Sequence, residues 1–464
     1  MSCCGPSRRQ LLGLVAAAAA LPLLGSNPAR AQAGSPIVTD LEVVTITERS
    51  VVLTWTTLGP DANPVEADSE VWLGPADGGA LRQVYGDSEP TAYHYAEVDG
   101  LEPGRTYRFE ARSAGVPAAP SPAALTLLAN TPESQGMFTT LTPPPGRLLR
   151  TLALSNDIHY GEEVSGIISG ELPPGVRQLP GLPPYPEVML TALLDDLRRP
   201  DRGVDHLIAA GDLTAEATPD QVRGVHDHLL AWGAQGRDWF ACRGNHDRPH
   251  LGADYASCSP YLDHFDCWGD SFGTRQQLGE YEVGELRLLG LDTTELDNSG
   301  GTMDREQLDR LRTVLRADPD RPTLVFGHHP VTTQSGLSNV AGPGFILDAA
   351  NSAELQSLYA SAPGVFLHHS GHTHRNLRTR PDQPIPVEFL EVAACKEYPG
   401  GYARVRLYEG GYTLNFFKTR TPEARQWSTR TRSEYWGRWP DYTLGSAADR
   451  NHTVLRDFSG LTDA

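Results

Sequence analysis

The feature that most constrains this chain is a recurring one: a short apolar run that stops at a residue able to bind a metal. Leu207-Ile208-Ala209-Ala210 halts at Gly211 and is followed by the carboxylate of Asp212. Thr151-Leu152-Ala153-Leu154-Ser155 runs into Asn156-Asp157-Ile158-His159, and Trp239-Phe240-Ala241-Cys242 into Arg243-Gly244-Asn245-His246-Asp247. Thr323-Leu324-Val325-Phe326 leads to Gly327-His328-His329-Pro330, and Val365-Phe366-Leu367 soon reaches Gly371-His372-Thr373-His374. Short runs that are apolar throughout read as strands buried on both faces. In an α/β sheet, ligands bind at the carboxyl ends of the strands. A carboxylate placed there is costly to bury unless it is paired or holds a cation.

Between these runs the apolar spacing becomes helical, over Pro186 to Arg199, Asp220 to Ala234 and Asp304 to Leu315. Strands alternating with helices are the signature of βαβ units. A Pro/Gly-rich insertion between Tyr160 and Tyr185 reads as either a loop facing substrate or inert surface. Val387 to Lys418 turns strand-like again, with Gly400-Gly401 and Gly410-Gly411 as turn signals. The polar tail from Thr419 onward reads as surface-wrapping or partly ordered.

A lone histidine is more often structural than ligating, but the joint order is specific. Asp-x-His, Gly-Asp, Gly-Asn-His-Asp, Gly-His-His-Pro and Gly-His-Thr-His succeed one another, each after a β-like run. Imidazole and carboxylate donors suit zinc, iron or manganese. These motifs resemble those of the calcineurin-like metallophosphoesterases, a likeness covering roughly Leu148 to Phe417. The resemblance implies a four-layer α/β/β/α sandwich and two divalent or trivalent ions (Fe, Mn or Zn) a few Å apart. Asp157, His159 and His374 would hold the first ion and Asn245, His328 and His372 the second, with Asp212 bridging both. His246 would stand beside the phosphate as general acid or transition-state donor, oriented by Asp247. His329 would be a neighbour. A water between two such ions loses a proton near neutral pH and becomes the nucleophile at phosphorus. Arg243, Arg248, His250 and Arg375 flank the motifs and read either as contacts to substrate phosphate, Arg243 and Arg375 foremost, or as solvated loop residues.

Two departures narrow the subclass. Purple acid phosphatases have a Tyr ligand where this chain has Ala215, and Gly where it has His159. Asp-x-His with Gly-Asn-His-Asp is closer to the cyclic nucleotide phosphodiesterase branch. The expected function is phosphate-ester hydrolysis, diesters slightly favoured, with a phosphomonoesterase as the alternative. A surface-binding protein with a decayed hydrolase domain is a third reading, and retention of the whole ligand set speaks against it.

Residues 34–145 differ in character from the rest of the chain. Glu42 to Thr47, Val51 to Thr57 and the Pro103-Gly104 turn before Arg105 to Ala111 give short β-rich runs without helical periodicity. Trp55 and Leu101-Glu102-Pro103-Gly104-Arg105-Thr106-Tyr107 resemble a fibronectin type III domain, whose partner the sequence does not name. A stiff Pro143-Pro144-Pro145 linker leads to a hydrolase domain expected at 147–418, with the tail at 419–464.

Residues 1–33 read as an export signal. Arg8-Arg9 precedes the apolar stretch Leu11 to Leu24, and Ala31-Gln32-Ala33 supplies a small-residue cleavage site. The paired arginines give it twin-arginine character, so a secreted or periplasmic protein is expected. No other run is apolar enough to anchor it in a bilayer. Of the later cysteines, Cys258 and Cys267 make the easiest bridge, and Cys242 reads as a small core residue. With 39 Lys+Arg against 58 Asp+Glu, the chain lacks the basic footprint of a general nucleic-acid binder or a nuclease.

Overall fold

The computed structural model describes residues 35–121, 130–166, 175–296, 298–434 and 439–461. The expected export signal lies outside them. The chain divides into two compact units, one up to Thr142 and one from Pro143 onward, Gly166–Gly175 excepted.

The first unit is all β. Ile37–Ile46, Val51–Leu58 and Tyr93–Val98 form one antiparallel sheet. Arg82–Thr91, Ala67–Pro75, Thr106–Ser113 and Val116–Pro117 form the other, with Met137–Thr139 paired to Thr106–Ser113. Alternating inward residues build the core, including Val43, Leu53, Val71, Ala96, Phe109 and Ala111. Trp55 lies at its centre. Its ring stacks on His94 at 4.7 Å, and its Nε1 donates to Ser113 Oγ at 2.8 Å, tying one sheet to the other.

The second unit carries two six-stranded sheets. In the first the order is Trp239–Cys242, His206–Ala210, Leu148–Ser155, Gly401–Tyr408, Gly411–Lys418 and Asn451–Leu455. The three motif-bearing strands are parallel, and the rest join antiparallel. In the second the order is Gly279–Val283, Leu286–Leu291, Thr323–Gly327, Val365–Ser370, Glu388–Glu391 and Leu377–Thr379. Its four middle strands are parallel and its edges antiparallel. The two sheets meet where His206–Ala210 approaches Thr323–Gly327 and Trp239–Cys242 approaches Leu286–Leu291. Tyr185–Leu197, Pro219–Trp232 and Pro422–Thr431 cover one side of this pair, and Arg305–Ala317 and Ala349–Ala360 the other. The result is the α/β/β/α order of layers.

The helices form where local chemistry favours them. Thr218 caps Pro219–Trp232 by accepting from Gln221 N, with proline at the first helical position. Asp304 caps Arg305–Ala317 the same way, and Leu308, Leu311 and Leu315 make its buried stripe against Leu289, Val325 and Val365. These spans lie within two residues of the spacing-based expectation at each end.

The tail departs from expectation. It supplies the helix Pro422–Thr431 and the sixth strand Asn451–Leu455 of the first sheet. Trp427 is 1% exposed and stacks on Tyr185 at 4.2 Å. The insertion after Tyr160 contains a two-stranded ribbon, Val164–Ser165 with Val176–Arg177, and residues 167–174 lie outside the described residues. Cys258 and Cys267 form a disulfide, while Cys242 and Cys395 are buried thiols. No helix among the described residues is long and apolar enough to cross a membrane.

Candidate dinuclear metal centre

Five parallel strands end at one place. Leu148–Ser155 delivers Asp157 and His159, His206–Ala210 delivers Asp212, and Trp239–Cys242 delivers Asn245 and His246. Thr323–Gly327 from the facing sheet delivers His328, and Val365–Ser370 delivers His372 and His374. The chain must turn sharply to aim these side chains. Asp157, His159, Asp212, His372 and His374 all have left-handed backbones, with φ between 48° and 67°. Each such residue costs about 1–3 kcal/mol, a strain that persists where surrounding structure enforces it and that clusters at functional sites. Two glycines permit the close approach. A Cβ on Gly371 would stand 2.6 Å from Asp157 Oδ2, and one on Gly244 would collide with the amide and carboxylate of Asp212.

Each carboxylate has one oxygen held by the protein and one presented to the histidines. Asp157 Oδ2 accepts from Asn156 Nδ2 at 2.6 Å and His372 N at 2.9 Å. Its Oδ1 lies 3.1 Å from His374 Nε2 and 3.7 Å from His159 Nε2, without a hydrogen bond. Asp212 Oδ1 accepts from His246 N at 2.8 Å. Its Oδ2 lies 3.5 Å from His159 Nε2 and 3.1 Å from His328 Nε2. His328 Nε2 is also 3.1 Å from Asn245 Oδ1 and from His372 Nδ1. Such atoms converge on shared centres rather than on one another.

Among the described residues the side chains gather into three ligand-capable groups: Asp157, His159 and His374; His159, Asp212 and His246; and Asp212, His328 and His372. Both ring nitrogens of His159 and Nε2 of His372 are buried with no hydrogen-bond partner. Orphaned buried donors of this kind need an explanation, and a cation supplies one. The donor set therefore fits a pair of metal ions.

Protein charges alone show what an ion would replace. Burial lowers an imidazole, but Asp157 and Glu397 outweigh it at His374 and push it up to about 10. At His328, Asp212 overcomes burial and pushes it up to about 9. Burial raises a carboxyl, yet His374 and His159 hold Asp157 well below its usual range, and His328 does the same for Asp212. Each buried carboxylate is thus balanced by a proton on a histidine. A ligating imidazole must be neutral, so a bound cation takes that proton's place.

Several neighbours sit differently from the sequence expectation. Asp247 does not orient His246. Its carboxylate accepts from Leu213 N, Thr214 N, Thr214 Oγ1 and Gly244 N, which fixes the turn bearing Asp212. Burial and the charge of Asp212 push it up to about 6. His246 is held instead by Ala215 O, 2.7 Å from its Nδ1.

Arg243 and Arg375, the expected substrate contacts, have guanidinium donors engaged by protein groups. Arg243 is buried and gives its donors to Asp266, Asp247 O and Gly273 O. Arg375 is buried against Glu391, at 2.7 Å, and Ser338 O. Guanidinium donors so engaged have little left for a phosphate. Glu391 also accepts from Thr373 Oγ1 at 2.5 Å, so the pair braces the His372-Thr373-His374 turn. Arg375→Ala strands the buried Glu391 charge and is expected to destabilise the domain by about 3–5 kcal/mol, measurable by urea denaturation. A loss under about 1 kcal/mol, the range of an exposed ion pair, would contradict the bracing role.

His329 turns its Nδ1 to Thr293 Oγ1 at 2.7 Å and enters none of the three groups. Arg248 contacts Asn245 O and Asn298 O, and His250 stacks on Tyr255. Sequence reading missed Phe345, which stacks on His372 at 3.8 Å, and Glu397, which lies 2.8 Å from His374 Nδ1. No motif marks either one.

The calcineurin-like phosphoesterase family model matches residues 151–376, which spans every ligand position above. A dimetal phosphatase from Danio rerio is similar at 16% identity and a TM-score of 0.42, over 59% of this chain and 98% of that one. A purple acid phosphatase from yellow lupin (Lupinus luteus) seeds is similar at 14% identity and a TM-score of 0.43, over 92% of this chain and 75% of that one. A human fibronectin type III domain is similar at 12% identity and a TM-score of 0.17, over 25% of this chain and 94% of that one. No curated protein sequence matches the chain. The family match over these converging ligands makes 151–376 a calcineurin-like phosphoesterase domain, and the chain a metal-dependent phosphoester hydrolase.

Proposed function

We propose that this protein hydrolyses phosphodiesters at a centre in which Asp157, His159 and His374 would hold one ion and Asn245, His328 and His372 the other, with Asp212 shared by both. The observation that carries this reading is the position of Asp212 Oδ2, within 3.5 Å of a histidine from each half of the site. Two ions held there would supply an acidified water as nucleophile and charge stabilisation at phosphorus. Iron, manganese and zinc all suit the donors.

His246 acts as the proton donor. Its Nδ1 is committed to Ala215 O, so Nε2 carries a proton only in the imidazolium form and is the atom that delivers it. Asp247 positions the Asp212 turn. The preference for diesters rests on the pairing of Asp157-x-His159 with Gly244-Asn245-His246-Asp247. Export through the twin-arginine route suits a protein that folds and loads metal before crossing the membrane. The fibronectin-like unit at 34–145 serves packing or partner contact, and the hydrolase domain begins at 147.

His246→Ala is expected to lower kcat by roughly 10²–10⁴-fold and to leave metal content unchanged by elemental analysis. Loss of metal in this variant would remove the donor role. Substrate class is tested by comparing bis(p-nitrophenyl) phosphate with p-nitrophenyl phosphate, using manganese-loaded protein from Gly34 onward. Faster monoester cleavage would replace the diesterase reading with a phosphomonoesterase.

A further inference from the structure

Outside the ligand set lies a buried polar cluster that the sequence motifs do not include. Glu397 is 1% exposed and Lys396 is 3% exposed. Glu397 Oε1 lies 2.8 Å from His374 Nδ1, and its Oε2 accepts from Ser165 Oγ at 2.7 Å. Lys396 Nζ stands 2.6 Å from Glu162 Oε2 and 3.6 Å from Glu397 Oε2. Glu162 Oε2 in turn lies 3.8 Å from His159 Nδ1.

The segment is pinned on both sides. Cys395 N and Lys396 N donate to the carbonyls of Asn156 and Asp157, and Trp427 Nε1 donates to Lys396 O at 2.7 Å. The facing half of the centre differs. His328 has only a backbone carbonyl, Ala210 O, behind its Nδ1. His372 Nδ1 points to His328, and its other nitrogen has no partner.

We infer that Glu397 is a positioning residue for His374. It holds the Nδ1 proton so that Nε2 is offered to the ion, and it makes the Asp157–His159–His374 half-site the tighter of the two. The physical basis is general. A carboxylate behind a ligating imidazole fixes the tautomer and ring angle and raises the basicity of the ligating nitrogen. A backbone carbonyl does the first but carries no net charge. Ser165 and Lys396 keep Glu397 in place and compensate its burial. They also connect the ribbon after Tyr160 and the tail helix to a metal ligand. This inference rests on the ligand assignment proposed above.

The test uses the full holoprotein loaded with manganese. Metal per chain is measured by elemental analysis after dialysis, with the electron paramagnetic resonance spectrum as a second readout. Wild type is expected to retain about two ions with a spin-coupled spectrum. Glu397→Gln, which keeps a polar side chain but loses the charge, is expected to weaken one half-site by about 10–100-fold. It retains one ion per chain, with the uncoupled six-line signal of isolated manganese. Ser165→Ala, which leaves the charge but frees its far oxygen, is expected to show a smaller loss in the same half-site. The half-site is identified in a His328→Ala background, where adding Glu397→Gln removes the remaining ion. Retention of two coupled ions by Glu397→Gln at wild-type affinity would overturn the inference. So would an unchanged remaining ion in the His328→Ala background. Wild type that binds no ion would instead overturn the ligand assignment itself.

Discussion

Asp212→Asn is expected to lower kcat/KM by at least about a thousandfold, or about 4 kcal/mol of transition-state stabilisation, and to reduce metal content. The reason is geometric. Asp212 Oδ1 is fixed by the His246 amide, which leaves Oδ2 between His159 and His328. An amide in the same place keeps an oxygen donor but gives up the negative charge that lies between His159 and His328 and that both proposed half-sites would share. It also risks placing NH₂ where the lone pairs belong, because the two ends of the amide are nearly the same size. Metal content and kinetics are measured on the same preparation. Full metal occupancy with near wild-type kcat/KM would show that Asp212 is no bridge.

The second large effect is on stability. Trp427→Ala is expected to cost about 3–5 kcal/mol and to lower Tm by roughly 10 °C. Trp427 is fully buried, stacks on Tyr185 and donates to the carbonyl of Lys396. Its removal opens a cavity and leaves a buried carbonyl unpaired. The result would distinguish a tail that is part of the domain's core from one that merely covers its surface. A Tm change of under about 2 °C, equivalent to less than about 1 kcal/mol, would indicate the latter.

The two cases also show what a single sequence makes legible. Strand ends were readable because a strand buried on both faces must be apolar, so the first polar residues after it stand out. Asp157, Asp212, Asn245, His328, His372 and His374 all announce themselves in this way. The tail was harder to read because its buried apolar residues, such as Trp427 and Phe458, are isolated and the burial of its last strand is polar. In Asn451–Leu455, the amide of Asn451 is met by Asn415 and the imidazole of His452 by Glu388 at 2.8 Å. Such residues look like surface until their partners are known.

The same limit explains Arg243 and Arg375. Adjacent to ligand motifs, they look like phosphate contacts, but Asp266 and Glu391, which neutralise them, are distant in sequence. Asp247 follows His246 directly, yet its side chain reaches back to Leu213 and Thr214 while His246 reaches Ala215. Neighbours in the chain need not be partners in space. Glu397 lies well beyond the last motif, and only the fold brings it to His374.

The most direct test of a dinuclear hydrolase is the rate of bis(p-nitrophenyl) phosphate cleavage as manganese is titrated into metal-free protein. Activity is expected to rise to a plateau at about two ions per chain and to be abolished by a chelator. Cleavage that persists without metal, or a chain that binds two ions and cleaves neither diester nor monoester, would contradict that mechanism.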